Sequence, residues 1–160
     1  MNPYAQNTEV PVERSRAEIE KLLLRYGATD FMSGWSGRMA MIGFRARGRT
    51  IRFVLTMPEP GEKRFTHTSA RKTQRSPGQA SAAWEQECRR GWRALALAIK
   101  AKLEAVQTGI ATFEDEFLAY TVLPGGRTVA EDIQPKITAA IAAGRLNVPL
   151  LAIGTGETIN

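Results

Sequence analysis

Apolar residues recur at two different periods along this chain, and the change of period divides it into elements. Ile19, Leu22, Leu23 and Tyr26 repeat at helical spacing. Ser15 and Glu18 stand as a capping box before them, and Gly27 stands after them, which predicts a helix over residues 15–26. Beyond Gly27 the period drops to two. "FMSGWS", "RMAMIGFRA" and "TIRFVLTM" read as three short strands, separated by turns at Ser36-Gly37 and Arg47-Gly48-Arg49 and ended by Pro58. Alternation puts Ile42 and Phe44, then Ile51, Phe53 and Leu55, on a core side. Met41, Gly43, Arg45, Arg52 and Val54 fall on the other side.

No period survives in residues 58–80, "PEPGEKRFTHTSARKTQRSPGQA", a basic segment of 23 residues. Loops of that length inside a compact domain are uncommon and tend to carry function or disorder. The helical period returns over 81–108. There Trp84, Cys88, Trp92, Leu95, Ile99, Leu103 and Val106 form a core-facing stripe, and Gly109 ends the helix. Thr112 with Asp115 opens a short helix in "TFEDEFLAY", and "LPGGRT" is a turn. Thr128 with Glu131 is a second capping box, opening a helix that runs to Gly144 and is interrupted or begun anew near Pro135.

The elements together predict an α+β domain: an N-terminal helix, a three-stranded antiparallel meander, a long amphipathic helix and short C-terminal helices. Its expected limits are 15–150, with a flexible N-terminus at 1–14, a basic loop at 58–80 and a tail at 151–160. At 160 residues the chain is long enough to bury a core without staples. Its single cysteine, Cys88, excludes an internal disulfide. No apolar run approaches membrane-spanning length, and the polar start "MNPYAQNTEVPVERS" lacks a secretory core, so the expectation is a cytoplasmic protein with no membrane partner.

Charge changes this picture because it is uneven. The net charge is +6, yet residues 31–93 alone hold 13 Lys/Arg against 4 Asp/Glu. Clustered basic residues are the electrostatic footprint of a polyanion binder. The stretch "FRARGRTIRFVL" shows the pattern at its densest, with four arginines interleaved among strand-forming apolar residues.

The catalytic inventory is thin. His67 is the only histidine and lies in the basic loop, so it reads as a solvated loop residue. Cys88 lies on the apolar stripe, where a free cysteine behaves as a small hydrophobe. Glu114, Asp115 and Glu116 follow a Thr cap. Adjacent helical positions point apart, and the positive helix end accounts for them without a metal. "LPGGRT" and "GTGET" have neither a Walker lysine nor a dinucleotide-binding glycine pattern. The expectation is a protein with no catalytic residues, no cofactor and no metal.

The basic block instead predicts a non-enzymatic nucleic-acid-binding protein, with single-stranded DNA preferred. Arginine binds phosphate through a planar, two-point fork. The expected contacts are Arg45, Arg47, Arg49, Arg52, Arg71, Lys72, Arg75, Arg89 and Arg93, with Trp35 as a stacking face.

Four segments, "VERSRAEIEKLLLRYGAT", "IRFVLTMP", "WEQECRRGWRALALAIKAKLEAV" and "TGIATFEDEFLAYTVLPGGRTV", resemble an uncharacterised family of small proteins encoded by tailed phages and prophages. The resemblance covers roughly residues 10–150 and brings no catalytic residue. It implies a place in phage DNA metabolism within an infected or lysogenic bacterium. The alternative is an anti-defence protein, which binds a host immune complex as a protein partner or sequesters a signalling nucleotide. The order α-β-β-β-α is also similar to the cores of single-strand annealing proteins and of double-stranded RNA-binding domains. The latter likeness is weakened because Ser81 to Trp84 carry no lysine cluster and a long insertion precedes the helix.

Overall fold

In a computed structural model of the chain, residues 3–145 are described, with side chains described from residue 12 onward. The expected tail at 151–160 lies outside these residues. The first helix, α1, spans Pro3–Arg25. Three antiparallel strands follow, β1 (Thr29–Ser36), β2 (Met39–Ala46) and β3 (Arg49–Thr56), in the spatial order β1-β2-β3. Next come α2 (Lys63–Thr66), the long α3 (Pro77–Gln107), α4 (Phe113–Glu116), a 3-10 turn at Leu118–Tyr120, and α5 (Val129–Ala142). The meander, the long helix and the α+β class agree with the sequence pattern. No helix among the described residues is long and apolar enough to cross a membrane.

The sheet is one-sided. Ile42 pairs with Phe53, and Phe44 with Ile51, so the largest strand side chains share one face. All four are buried there, with Ile19 and Leu23 of α1 and Trp84, Cys88, Trp92, Ile99 and Leu103 of α3. Phe117 completes this core, meeting Phe44 and Phe53 edge-on at 6.0 and 6.3 Å and Phe113 in a stack at 4.5 Å. The opposite face carries Met32, Met41, Arg45, Arg52 and Val54, and no element covers it among the described residues. Arg47 and Gly48 both adopt positive φ, 50° and 72°, as a tight hairpin turn requires. Between Thr29 and Met32 the β1 register shifts, with Asp30 at φ 54°, so the edge strand carries a bulge.

Four boundaries differ from the sequence reading. The helix expected to start at Ser15 starts at Pro3, because Val12 (buried) continues the stripe of Ile19 and Leu23 upstream. The Ser15–Glu18 box is therefore helix interior. The helix expected from residue 81 starts at Pro77: Ser76 is its N-cap, its hydroxyl accepts from the Gln79 N–H, and the Gln79 side chain returns to the Ser76 N–H. The 58–80 segment has local order of its own. Phe65 of α2 is buried, and His67 bridges to Gln74 across a short turn. Finally, α5 runs through Pro135 unbroken. Proline cannot donate to the carbonyl four residues back, that of Glu131, and the guanidinium of Arg127 donates to that oxygen instead.

Candidate nucleic-acid interface

The basic residues separate into two groups at opposite ends of β3. The first is the β2–β3 hairpin. Ala46 and Arg47 lie beside Leu103 and Val106, in the C-terminal part of α3. Each of its four arginines has a partner inside the protein. Arg45 lies 3.5 Å from Asp30, Arg49 4.0 Å from Glu114 and Arg52 3.1 Å from Glu131. The Arg47 guanidinium sits 5.8 Å from the centre of the Phe113 ring. These pairs are largely exposed, so each is worth little as a bond. Their effect on the field is larger, since three carboxylates offset three of the four charges.

The second group lines an open groove of about 570 Å³ between α2, the loop after it and the first half of α3. Arg64, Arg75, Arg89, Arg90 and Arg93 converge there, with Glu87 as the single carboxylate of the wall. At 1.5 Å per residue, the helix places this groove roughly 20 Å along α3 from the hairpin turn. Local chemistry explains the convergence. Ser76 caps α3, so the Thr66–Arg75 excursion must fold back on the helix flank. The Arg75 N–H donates to the Thr66 carbonyl at 2.7 Å, and its guanidinium to the carbonyls of Arg64 and Phe65 at 3.1 and 3.0 Å. Phe65 is buried beneath, with the Arg64 guanidinium 4.6 Å over its ring. Glu87 lies 3.6 Å from Arg64 and 3.7 Å from Arg90. Arg89 and Arg93, four residues apart on one flank of α3, have no ion-pair partner among the described residues.

Of the residues expected to contact nucleic acid, the structure thus brings together Arg75, Arg89 and Arg93. It leaves Arg45, Arg47, Arg49 and Arg52 as a separate group. Arg71 and Lys72 are exposed at the tip of the turn, Lys72 with φ 50°. Trp35 is 58% exposed and stands apart, beside a cavity near the β1–β2 turn. Arg64 and Arg90 also belong to the groove, beyond the residues that the sequence pattern predicts. Arg64 was legible as part of the basic loop. Arg90 lies one helical step from Arg89, and only the folded loop brings that flank into use.

The other chemically notable residues have structural employment. Burial, reinforced by Glu85 and Glu87, pushes the Cys88 thiol up to about 11, so it is a neutral core group. His67 Nδ1 lies 2.8 Å from the Thr66 hydroxyl. The acidic run diverges as its helical positions require: Glu114 toward Arg49, Asp115 onto the Thr112 cap, Glu116 to Lys102 at 3.2 Å. Among the described residues no group of three or more side chains is placed to hold a metal ion. Compared with known proteins, the chain matches no family model, no curated protein and no solved structure.

Proposed function

We propose that this protein binds nucleic acid without chemistry of its own, through the arginine groove of α2 and α3, and that single-stranded DNA is its ligand. The observation that carries the reading is the convergence of five arginines on one open groove with a single carboxylate in its wall. Guanidinium forks spaced along a groove follow a phosphate backbone, and the affinity they give is salt-sensitive and largely independent of sequence. Single-strand binders combine a basic groove with aromatic stacking faces, and Trp35, exposed although apart from the groove, offers one. The role we propose for this activity is in phage DNA metabolism, which is what the resemblance of the sequence to phage-encoded proteins implies.

The test is a fluorescence-anisotropy titration with single- and double-stranded oligonucleotides at two salt concentrations. Single strands should bind more tightly, and salt should weaken them. Arg89→Gln with Arg93→Gln should lower the slope of log affinity against log salt by about 1.4, at roughly 0.7 per phosphate contact. Wild-type protein that binds no oligonucleotide, or a double variant that binds as wild type does, would sink the reading.

One observation favours a second reading, an anti-defence protein that docks on a host immune complex. On α5, Ile133, Ile137 and Ile141 repeat at helical spacing and are all exposed, in a helix with no buried residue. Recovery of one host complex with tagged protein, lost in Ile137→Asp, would select this reading over DNA.

A further inference from the structure

A cavity of about 350 Å³ lies between α1 and the β1–β2 turn, within the size range of small-ligand sites. Arg16, Trp35, Arg38, Met57 and Trp92 are in its wall. Trp92 is 4% exposed, and its Nε1 is buried without a hydrogen-bond partner. The contrast with Trp84, on the same helix face, is direct, because Trp84 Nε1 donates to the Pro58 carbonyl at 2.8 Å. A buried N–H left unmade is costly, and native proteins rarely keep one without a use. Nε1 itself has almost no open surface, so an acceptor atom on a ligand in the cavity would reach it through a turn of the indole, and Trp35 offers that ligand an aromatic face.

The cavity is also joined to the arginine groove. A shallow cleft shares Arg38 and Met57 with the cavity, and it shares Arg64 and Glu87 with the groove. The cleft between them is lined by Arg38 and Arg64, each of which also faces a carboxylate, Arg38 that of Glu59 at 3.5 Å and Arg64 that of Glu62 at 2.7 Å.

We infer that this cavity receives one base of the bound strand, whose backbone crosses Arg38 and Arg64 into the groove. Trp35 stacks on the base, and Trp92 Nε1 donates to a ring nitrogen or carbonyl oxygen of it. The inference rests on the proposed nucleic-acid reading and deepens it by naming where a base is held.

The probes are an oligothymidylate and a strand of the same length built from abasic spacers, which keeps the phosphates and removes the bases. Wild type should prefer the thymidylate. Trp35→Ala, at an exposed position, should weaken thymidylate binding about 5- to 150-fold, the worth of one stacked base. Trp92→Phe keeps a ring and removes the N–H, and should weaken it about 3- to 10-fold. Neither substitution should change binding of the abasic strand. If both variants bind thymidylate as wild type does while Arg89→Gln with Arg93→Gln loses it, the base site is overturned and the groove stands. If the arginine variant also binds normally, or wild type binds neither strand, groove and base site fall together. Tight binding of free thymidine monophosphate that needs Trp35 and Trp92, without affinity for strands, overturns the inference in favour of a small-molecule site.

Discussion

Arg52 Nη2 lies 3.1 Å from Glu131 Oε2, and the same oxygen accepts the backbone N–H of Thr128 at 2.7 Å. One carboxylate thus caps α5 and ties it to the open face of the sheet. Arg52 is placed by this pair, which gives it a structural task before any ligand arrives.

Breaking that pair should loosen α5 more than it unfolds the domain. Arg52→Gln or Glu131→Gln is expected to lower stability only slightly, as for exposed ion pairs. Thr128→Ala, which removes the hydroxyl accepting from the Glu131 N–H, should cost about 0.5–2 kcal/mol. Chemical denaturation gives the cost, and hydrogen exchange over residues 129–142 shows where it falls.

The pH dependence has a definite sign. The Thr128 N–H, and after it Arg52, hold the Glu131 carboxyl below its ordinary value. A carboxyl so lowered contributes stability that is complete above its unfolded value, about 4.3, and is lost as pH falls through the folded value. An NMR titration should find the Glu131 carboxyl ionising below free glutamate, and Arg52→Gln should move the midpoint back part of the way.

The two arginine groups should behave differently toward DNA. Replacing Arg45, Arg47, Arg49 and Arg52 together by Gln removes charges that Asp30, Glu114 and Glu131 already offset. The salt slope should therefore change less than it does for Arg89→Gln with Arg93→Gln. A larger change from the hairpin variant, with the fold intact by circular dichroism, would move the interface to the sheet.

Core substitutions should rank by burial. Phe117→Ala and Trp84→Ala should each cost about 3–5 kcal/mol, and Trp84→Ala also strands the Pro58 carbonyl. Leu95 is only half-buried, so Leu95→Ala should cost less than either. Denaturant midpoints at unchanged slope measure the order.

Cys88 should resist alkylation. With its thiol pushed up to about 11 and 1% exposed, iodoacetamide at pH 8 should label it only when guanidinium opens the core. Rapid labelling of native protein would show that the α3 stripe opens locally.

Local rules made most of this fold readable from the sequence. Strand faces followed from alternation, because one side of the sheet is buried and a slip of one residue would expose Ile42 and Phe53. The α3 stripe followed from helical spacing. Reading was blunted where a strong compositional signal hid a local one. The Ser76–Gln79 box with Pro77 lies inside the basic segment, where the composition is that of a loop. The candidate site was legible as a set of charges but not as a place. Asp30, Glu114 and Glu131 reach the hairpin arginines from distant parts of the chain. The excursion that seats Arg64 and Arg75 beside Arg89 and Arg93 depends on carbonyl contacts that have no residue code.

The bulge in β1 bears on how the molecule lives in a crowd. Residues 121 and 122 cover the outer edge of β3, where the Val122 N–H donates to the Thr50 carbonyl at 2.8 Å. β1 is then the edge left open among the described residues, and an open edge is a template for the next molecule's strand. Asp30, in its left-handed conformation, interrupts the ladder and sets a carboxylate there. The bulge twists that end of the edge and the carboxylate disfavours a straight pairing from one copy to the next, two ways in which an open edge is blunted against self-templating.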